Sequence, residues 1–362
     1  MLSLLDTHRH LYNDALAERK NIYETDNRTV TFAEQCKSLT QNRKTNPNLA
    51  KANANSCQKT LKRLDRSMKS FFRRVKQAET PGYPRFRGYG RFDSVEFTYG
   101  DGAKLTKDKA YFMGVGDVKL KMHRPIEGEV KTARFKKEAD GWYVVFSCVL
   151  PDYDGLPSNN PAIGIDLGLK SFYVDSNGEE VKPPKLYRKA QKKLKRLQRS
   201  VARKKKGGSN RRKVVTRLAK FSQHVANQRH DFHHKTAREL VNKFGKIAHE
   251  SLNIKGIVRG LHLAKSTHDV RWGQFLDILK HKAESAGVEV VAVDPRNTTQ
   301  TCSNCGCLPD AKVTLKERVY HCLHCGFILD RDHNAAINIK RRAFSERHRC
   351  AAHHADNALR LG

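Results

Sequence analysis

The apolar positions divide the chain into three stretches of different character. Between about Leu4 and Lys76 they recur at helical spacing, with polar residues between them. Asn46-Pro47 is typical of the cap and first position of a second helix within this stretch. From residue 91 to 150 apolar residues instead alternate over short runs separated by glycines, which predicts a small antiparallel barrel or sheet.

The third stretch follows a predicted linker, Pro151 to Pro161, and alternates strands with helices. The expected strands are Ala162–Leu169 with its hairpin partner Ser171–Val174, then Lys246–Glu250 and Val288–Val293. The expected helices are Asp231–Phe244, which Gly245 would stop, and Arg271–Ala286, which Gly287 would stop. This order predicts an α/β layer domain.

The net charge of the chain says more about its function than its length does. The 362 residues include 70 Lys and Arg against 37 Asp and Glu, a formal charge of +33 that indicates a polyanionic partner. No run approaches the ~18 apolar residues of a membrane span, and nine cysteines, four of them in two C-x-x-C pairs, argue for a reducing compartment. These features argue against secreted and membrane proteins, and we expect a cytoplasmic protein that associates with the nucleoid when bound to DNA.

The basic residues concentrate between Val181 and His230, a stretch with 19 Lys and Arg and no acid. A solvated charged face usually carries both signs, so this density predicts contact with a phosphate backbone and gives no information on sequence readout. The candidate contacts lie in a helical insert at 185–229: Lys192, Lys193, Lys195, Arg196, Arg199, Arg203, Lys204, Lys205, Lys206, Arg211, Arg212 and Lys213.

The spacing of four cysteines is the strongest single motif. Sixteen residues separate Cys302-x-x-Cys305 from Cys322-x-x-Cys325, and a glycine stands directly after each pair. Four thiolates at this spacing can close a tetrahedral Zn²⁺ site, whereas unlinked core cysteines are the alternative. A site closed by four cysteines leaves no position for a substrate, so we expect one structural zinc.

Three acids stand where elements can converge. Asp166 lies between Gly164 and Gly168 on the polar face of a buried strand, Glu250 ends another strand, and Asp332 precedes a helix. Taken singly, they could be a turn residue, a surface strand end and an N-cap. Taken together, three carboxylates can bind two Mg²⁺ ions about 3.5–4 Å apart, which predicts phosphodiester hydrolysis.

Five segments between Ala162 and Arg342 carry a family resemblance: Gly164-Ile165-Asp166-Leu167-Gly168, His249-Glu250-Ser251-Leu252-Asn253-Ile254-Lys255-Gly256, Trp272-Gly273-Gln274-Phe275, Thr301-Cys302-Ser303-Asn304-Cys305-Gly306 and Asp330-Arg331-Asp332-His333-Asn334-Ala335-Ala336. In order and spacing they resemble TnpB, the OrfB-type protein of bacterial insertion sequences and a relative of type V CRISPR effectors. The resemblance implies catalytic acids at Asp166, Glu250 and Asp332. Asp332 is preferred to Asp330 because the family's acid stands two residues before an Asn.

The resemblance also implies a multidomain α+β architecture. We expect a helical recognition lobe at 1–80 and a wedge-like β-barrel at 81–155. An RNase H-like RuvC domain is expected at 162–297, with an inserted zinc ribbon at 298–329, a final helix at 330–345 and a tail at 346–362.

The function implied is that of an RNA-guided endonuclease. Such a protein uses a guide RNA derived from the transposon end and cuts double-stranded DNA next to a short adjacent motif. Acids at all three positions favour a nuclease over the alternative of an inactive RNA-guided repressor. A strand-transfer transposase is the other alternative, and the four-cysteine insert before the third acid fits it poorly.

Overall fold

A computed structural model describes residues 1–151, 160–253, 256–257, 264–309, 313–314 and 317–344. Most of the predicted linker and the predicted tail at 346–362 lie outside these residues. The chain divides into two compact units, Met1–Pro151 and Asp152–Gly362. A search of the described helices finds none long and apolar enough to cross a bilayer.

The first unit begins with helices, as predicted. Thr31 starts the second with a capping box, in which Glu34 returns the hydrogen bond. Asn46 caps the third with Pro47 at its first position, as expected, but this helix ends at Lys51 and a new one begins after Asn53. The helices are α1 (Leu2–Asp26), α2 (Phe32–Thr45), α3 (Pro47–Lys51) and α4 (Ala54–Lys76).

The strands of this unit form a curled half-barrel sheet, which agrees with the sequence prediction of a small barrel or sheet. The order is β4-β3-β2-β1-β5-β6, and among the described residues neither β4 nor β6 has a strand on its outer side. Helical residues share one hydrophobic cluster with strand residues, so helices already cover the apolar face that closure would bury. The strands are β1 (Ser94–Tyr99), β2 (Gly102–Thr106), β3 (Lys109–Phe112), β4 (Gly116–Lys119), β5 (Glu129–Lys137) and β6 (Trp142–Val149).

The second unit is built on a mixed five-stranded sheet with the order β11-β10-β7-β8-β9. The central strand β7 pairs antiparallel with β8 and parallel with β10, which pairs parallel with β11. The strand β11 is only partly buried, because it lies at the edge of the sheet. The strands are β7 (Ala162–Leu167), β8 (Tyr173–Asp175), β9 (Glu180–Val181), β10 (Lys246–Glu250) and β11 (Glu289–Val293).

Helices cover both faces of this sheet. The basic insert forms two helices separated by a turn at Gly207, and Arg211, Arg212 and Lys213 lie on the second of them. The helix expected at Asp231–Phe244 is the second half of one 35-residue helix, because no glycine or proline interrupts Ser209–Lys243. The helices are α5 (Leu186–Ala202), α6 (Ser209–Lys243), α7 (Ala264–Val270), α8 (Trp272–Glu284) and α9 (Arg331–Phe344).

Alternation along β7 assigns its two faces. Ile163, Ile165 and Leu167 join a hydrophobic cluster with residues of α6 and α8. Gly164 and Asp166 therefore face the other layer, which is α9. A Cβ on Gly164 would lie 2.3 Å from the carbonyl oxygen of Ala336 and 2.6 Å from the amide nitrogen of Lys340. The glycine is thus required for direct contact between the helix backbone and the strand.

Substitution of this glycine tests the contact. We expect Gly164→Ala to lower the free energy of unfolding by about 1–3 kcal/mol, because the helix backbone must move to admit the methyl group. Gly141→Ala is the matched control, since a Cβ there meets nothing within 4 Å and the residue does not have a positive φ. Chemical denaturation of the full chain measures both variants, and equal stabilities would contradict the account.

Candidate active site and metal centre

The pairing register places Asp166 and Glu250 side by side. His249 on β10 is paired with Ile165 on β7, and the parallel register carried one residue further sets Glu250 beside Asp166. Neighbouring strands lie about 4.8 Å apart. Glu250 is only 9% exposed, so it is not the surface strand end that its position alone suggested.

The start of α9 brings the third acid to the same place. Asp332 lies one helical turn before Ala336, whose carbonyl contacts Gly164. The capping role belongs to Asp330, whose Oδ1 accepts hydrogen bonds from the amides of Asp332 (2.9 Å) and His333 (3.1 Å). The carboxylate of Asp332 is therefore not used in capping, and its side chain is 19% exposed.

The pKa of Asp166 depends on both of the other acids. Burial, and then the negative charges of Glu250 and Asp332, raise the pKa of Asp166 well above its usual range. Burial also raises the pKa of Glu250, against a hydrogen bond from Thr298 that lowers it. Like charges held this close in a partly desolvated place favour a bound cation.

The carboxylate oxygens are near one another but not gathered at one point. Within the described parts of the chain, the four cysteines form the one set of three or more possible ligands whose atoms all lie within 4.8 Å of each other. One reason is that Asp332 is held by cations. Its Oδ1 accepts from Arg331 Nη2 at 3.0 Å, and its Oδ2 lies 3.6 Å from Arg318 Nη1.

Sequence reasoning missed these contacts of the acids. Arg331 is buried, and its Nη1 also donates to the carbonyl oxygens of Thr314 (3.2 Å) and Glu317 (3.1 Å). Its position between two acids was an available signal. Thr298 and Arg318 carry no local signal, because only the fold brings them to Glu250 and Asp332.

The four cysteines meet as their spacing predicted. The Sγ atoms of Cys302 and Cys325 lie 3.7 Å apart, and those of Cys305 and Cys322 lie 3.6 Å apart. Four sulfurs bound tetrahedrally at about 2.3 Å from Zn²⁺ would be about 3.8 Å apart. The donor set and its spacing therefore fit a metal ion such as zinc.

The two C-x-x-C turns have the same backbone hydrogen bonds. Gly306 N donates to Cys302 O (3.0 Å), and Gly326 N donates to Cys322 O (2.8 Å). Both glycines have positive φ, 77° and 70°, which a residue with a side chain rarely adopts. In the second turn, a hydrogen bond from the backbone amide of Phe327 lowers the pKa of Cys325 to about 6, which favours the thiolate that binds metal.

A short hairpin joins this cluster to the acids. It consists of β12 (Val319–His321) and β13 (Ile328–Asp330), with Tyr320 fully buried among the cysteines. The strand β13 ends at Asp330, directly before α9 and Asp332. The fold of the cysteine cluster therefore sets the position at which α9 begins, and with it the position of Asp332.

The predicted nucleic-acid residues lie on α5, on the start of α6 and in the turn between them. All are exposed except Arg211, which is half-buried. Lys192, Arg196 and Arg203 are among the residues that line a surface depression with no acidic residue in its lining. The position of these side chains suits a polyanion, and contact itself stays a prediction.

Comparison with known proteins shows what the chain is similar to. The model of a family described as a probable transposase matches residues 146–260, and that of the Cas12f1-like TNB domain matches residues 272–339. A putative RNA-guided DNA endonuclease of Streptomyces pristinaespiralis is 29% identical over 346 residues, which is 91% of this chain and 82% of the relative. A TnpB-like protein of Acanthamoeba polyphaga mimivirus is 32% identical over 237 residues, covering 61% of this chain and 45% of that protein. These matches support the resemblance of the chain to TnpB proteins.

A solved structure shares the fold of this chain. The Cas12f1 chain of a complex with sgRNA and target DNA superposes with a TM-score of 0.60 at 18% identity, covering 94% of this chain and 81% of that one. At this identity the likeness concerns the fold alone.

Loss of one cysteine tests the metal centre. We expect the purified protein to contain one zinc per chain, and Cys322→Ser to lose most of it and to unfold at a lower temperature, because ligand loss opens the tetrahedral site. Cys148→Ser is the control, since this half-buried thiol lies in the other unit. Elemental analysis and thermal denaturation measure both variants, and equal zinc contents would refute the site.

Proposed function

We propose that this protein is an RNA-guided DNA endonuclease of an insertion sequence. Three carboxylates, Asp166, Glu250 and Asp332, on one face of one sheet carry this proposal. It is further supported by a relative matched over most of the chain whose name is putative RNA-guided DNA endonuclease.

The nuclease unit is proposed to be RuvC-type, with an RNase H-like fold. In favour of this, the strands β7 to β11, numbered 1 to 5 in chain order, are arranged 5-4-1-2-3 across the sheet. Strands 1, 2 and 3 pair antiparallel, whereas strands 4 and 5 run parallel to strand 1. The acids stand on the first and fourth of these strands and on the last helix. The recognition lobe (1–80), wedge (81–155), RuvC domain (162–297), zinc ribbon (298–329) and final helix (330–345) remain our proposed domains.

The acids are proposed to hold two Mg²⁺ ions. The donor set suits this ion, because Mg²⁺ prefers hard oxygen ligands such as these three carboxylates. When bound, such ions activate a water and neutralise the leaving oxygen of a phosphodiester. Partial exposure of Asp166 and Asp332 lets a backbone phosphate reach them, while burial orients Glu250.

Arg331 and Arg318 have a second part in this proposal. They hold Asp332, with Arg331 fixed by the carbonyl groups of Thr314 and Glu317. Arg318 is about half exposed, so its guanidinium can turn from the carboxylate to a phosphate that arrives at the site.

The polyanions are proposed to be a guide RNA from the transposon end and a target DNA duplex. A charge of +33 and the exposed cations of α5 and α6 support binding to phosphate backbones. Sequence specificity would come from base pairing between guide and target, with the protein holding the heteroduplex by its shape and backbone.

Matched substitutions of neighbouring acids test the proposal. We expect Asp166→Asn and Asp332→Asn to slow cleavage of a guide-matched plasmid by at least about 100-fold, since each loses a charged ligand worth ~2.7 kcal/mol or more. Guided binding of the DNA should persist. Asp330→Asn is the control, because asparagine also caps a helix and this residue has no ligand role here.

Each other outcome rejects a part of the proposal. Wild-type protein that binds guided DNA without cutting it would be a repressor, and one that joins DNA strands would be a strand-transfer transposase. Equal losses in Asp330→Asn and Asp332→Asn would reject the assignment of the third acid.

A further inference from the structure

Glu250 is oriented by a residue that lies far away in the sequence. Thr298 Oγ1 donates a hydrogen bond to Glu250 Oε1, and the threonine is 1% exposed. Within the short loop that holds it, the same hydroxyl lies 3.0 Å from Pro295 O. Because this hydrogen bond fixes one oxygen of the buried carboxylate, it also fixes the direction in which the second oxygen points. The second oxygen is left free to bind a ligand.

The loop from Thr298 to Ser303 is itself held by α9. Asn338 Nδ2 donates to the carbonyl oxygens of Thr298 (2.9 Å) and Thr301 (2.7 Å). Asn334 Nδ2 donates to Thr301 O (2.9 Å), and Asn334 Oδ1 accepts from Ser303 N (2.8 Å).

Their burial gives these contacts weight. Asn334 is fully buried and Asn338 is 8% exposed, and they stand four residues apart, so they share one helix face. Removing the amide of Asn338 takes this donor from Thr298 O, and removing that of Asn334 takes the acceptor from Ser303 N, which is costly for buried polar groups. The loop is therefore set by the helix and not by its own conformational preference.

The same helix thus positions two acids in different ways. It carries Asp332 in its first turn, and through the two asparagines and Thr298 it holds Glu250 on a strand of the sheet. A displacement of the loop would move Glu250 relative to Asp332 even if both elements kept their places.

We propose that Thr298 is a positioning residue for Glu250, and that Asn334 and Asn338 are positioning residues that hold Thr298. The inference deepens the proposed function, since it rests on Glu250 being a ligand of the catalytic metal. It assigns no contact with the substrate to any of the three.

The hydroxyl of Thr298 can be tested by shape-matched substitution. Thr298→Val keeps the shape and removes the hydroxyl, whereas Thr298→Ser keeps the hydroxyl. We expect Thr298→Val to raise the Mn²⁺ concentration for half-maximal cleavage about tenfold, as loss of outer-shell partners does at metal sites, and Thr298→Ser to remain within about twofold of wild type. Guided DNA binding should be equal in all three proteins.

Two results would overturn the role of the hydroxyl. One is a Thr298→Val protein with the metal dependence of wild type. The other is an equal loss in Thr298→Val and Thr298→Ser, which would assign the effect to packing of the methyl group.

A double substitution tests the asparagine. If Asn338 acts through Thr298, Asn338→Ala should also raise the Mn²⁺ concentration for half-maximal cleavage. The double variant Thr298→Val with Asn338→Ala should then need no more Mn²⁺ than the more severe single variant. Multiplication of the two effects would reject this route. If Asn338→Ala does not fold, the comparison of valine with serine at 298 still decides the inference.

A binding measurement separates this inference from the proposed function. Mn²⁺ binding to the full chain without RNA can be followed by electron paramagnetic resonance, counting only the binding that Asp166→Asn abolishes. A tenfold weaker Mn²⁺ affinity in Thr298→Val, but not in Thr298→Ser, would support the positioning role even if wild type cuts no DNA. Unchanged affinity in both variants would overturn it even if wild type is an active nuclease.

Discussion

The candidate active site depends on the contact between one helix backbone and one glycine. At Gly164 the backbone of α9 lies directly on the central strand β7, closer than any side chain on the strand would permit. Because the helix lies this close, its first turn presents Asp332 to Asp166 two residues further along the strand. Glu250 then joins them through the parallel register of β10. Three distant parts of the chain thereby meet through ordinary backbone packing.

The cysteine cluster is connected directly to the helix that carries the third acid. The strand β13 follows the second cysteine turn and ends at Asp330, and α9 begins at the next residue. The start of the helix is therefore held by the strand before it and by the side chain of Asp330, which caps it. Asn334 and Asn338 tie the same helix to the loop that leads to Cys302. A structural metal at the cysteines would therefore stabilise the position of the acids without taking part in the reaction.

Local signals in the sequence predicted much of this arrangement. Alternation identified the strands Lys246–Glu250 and Ala162–Leu167 and put Asp166 on the face opposite Ile165, and spacing alone identified the four cysteines. Features set by distant packing were not predictable. The role of Gly164 follows from a helix far later in the chain, and the contacts of Thr298 and Arg331 arise only in the folded chain.

The central claim is that Asp166, Glu250 and Asp332 share a pair of divalent ions. Anomalous diffraction from crystals of the protein grown with Mn²⁺ tests it most directly. The account predicts two manganese peaks among the three carboxylates, about 3.5–4 Å apart, and a separate zinc peak at the four cysteines. Crystals with manganese elsewhere and none at these acids, or with the three carboxylates held apart in the presence of the metal, would contradict it.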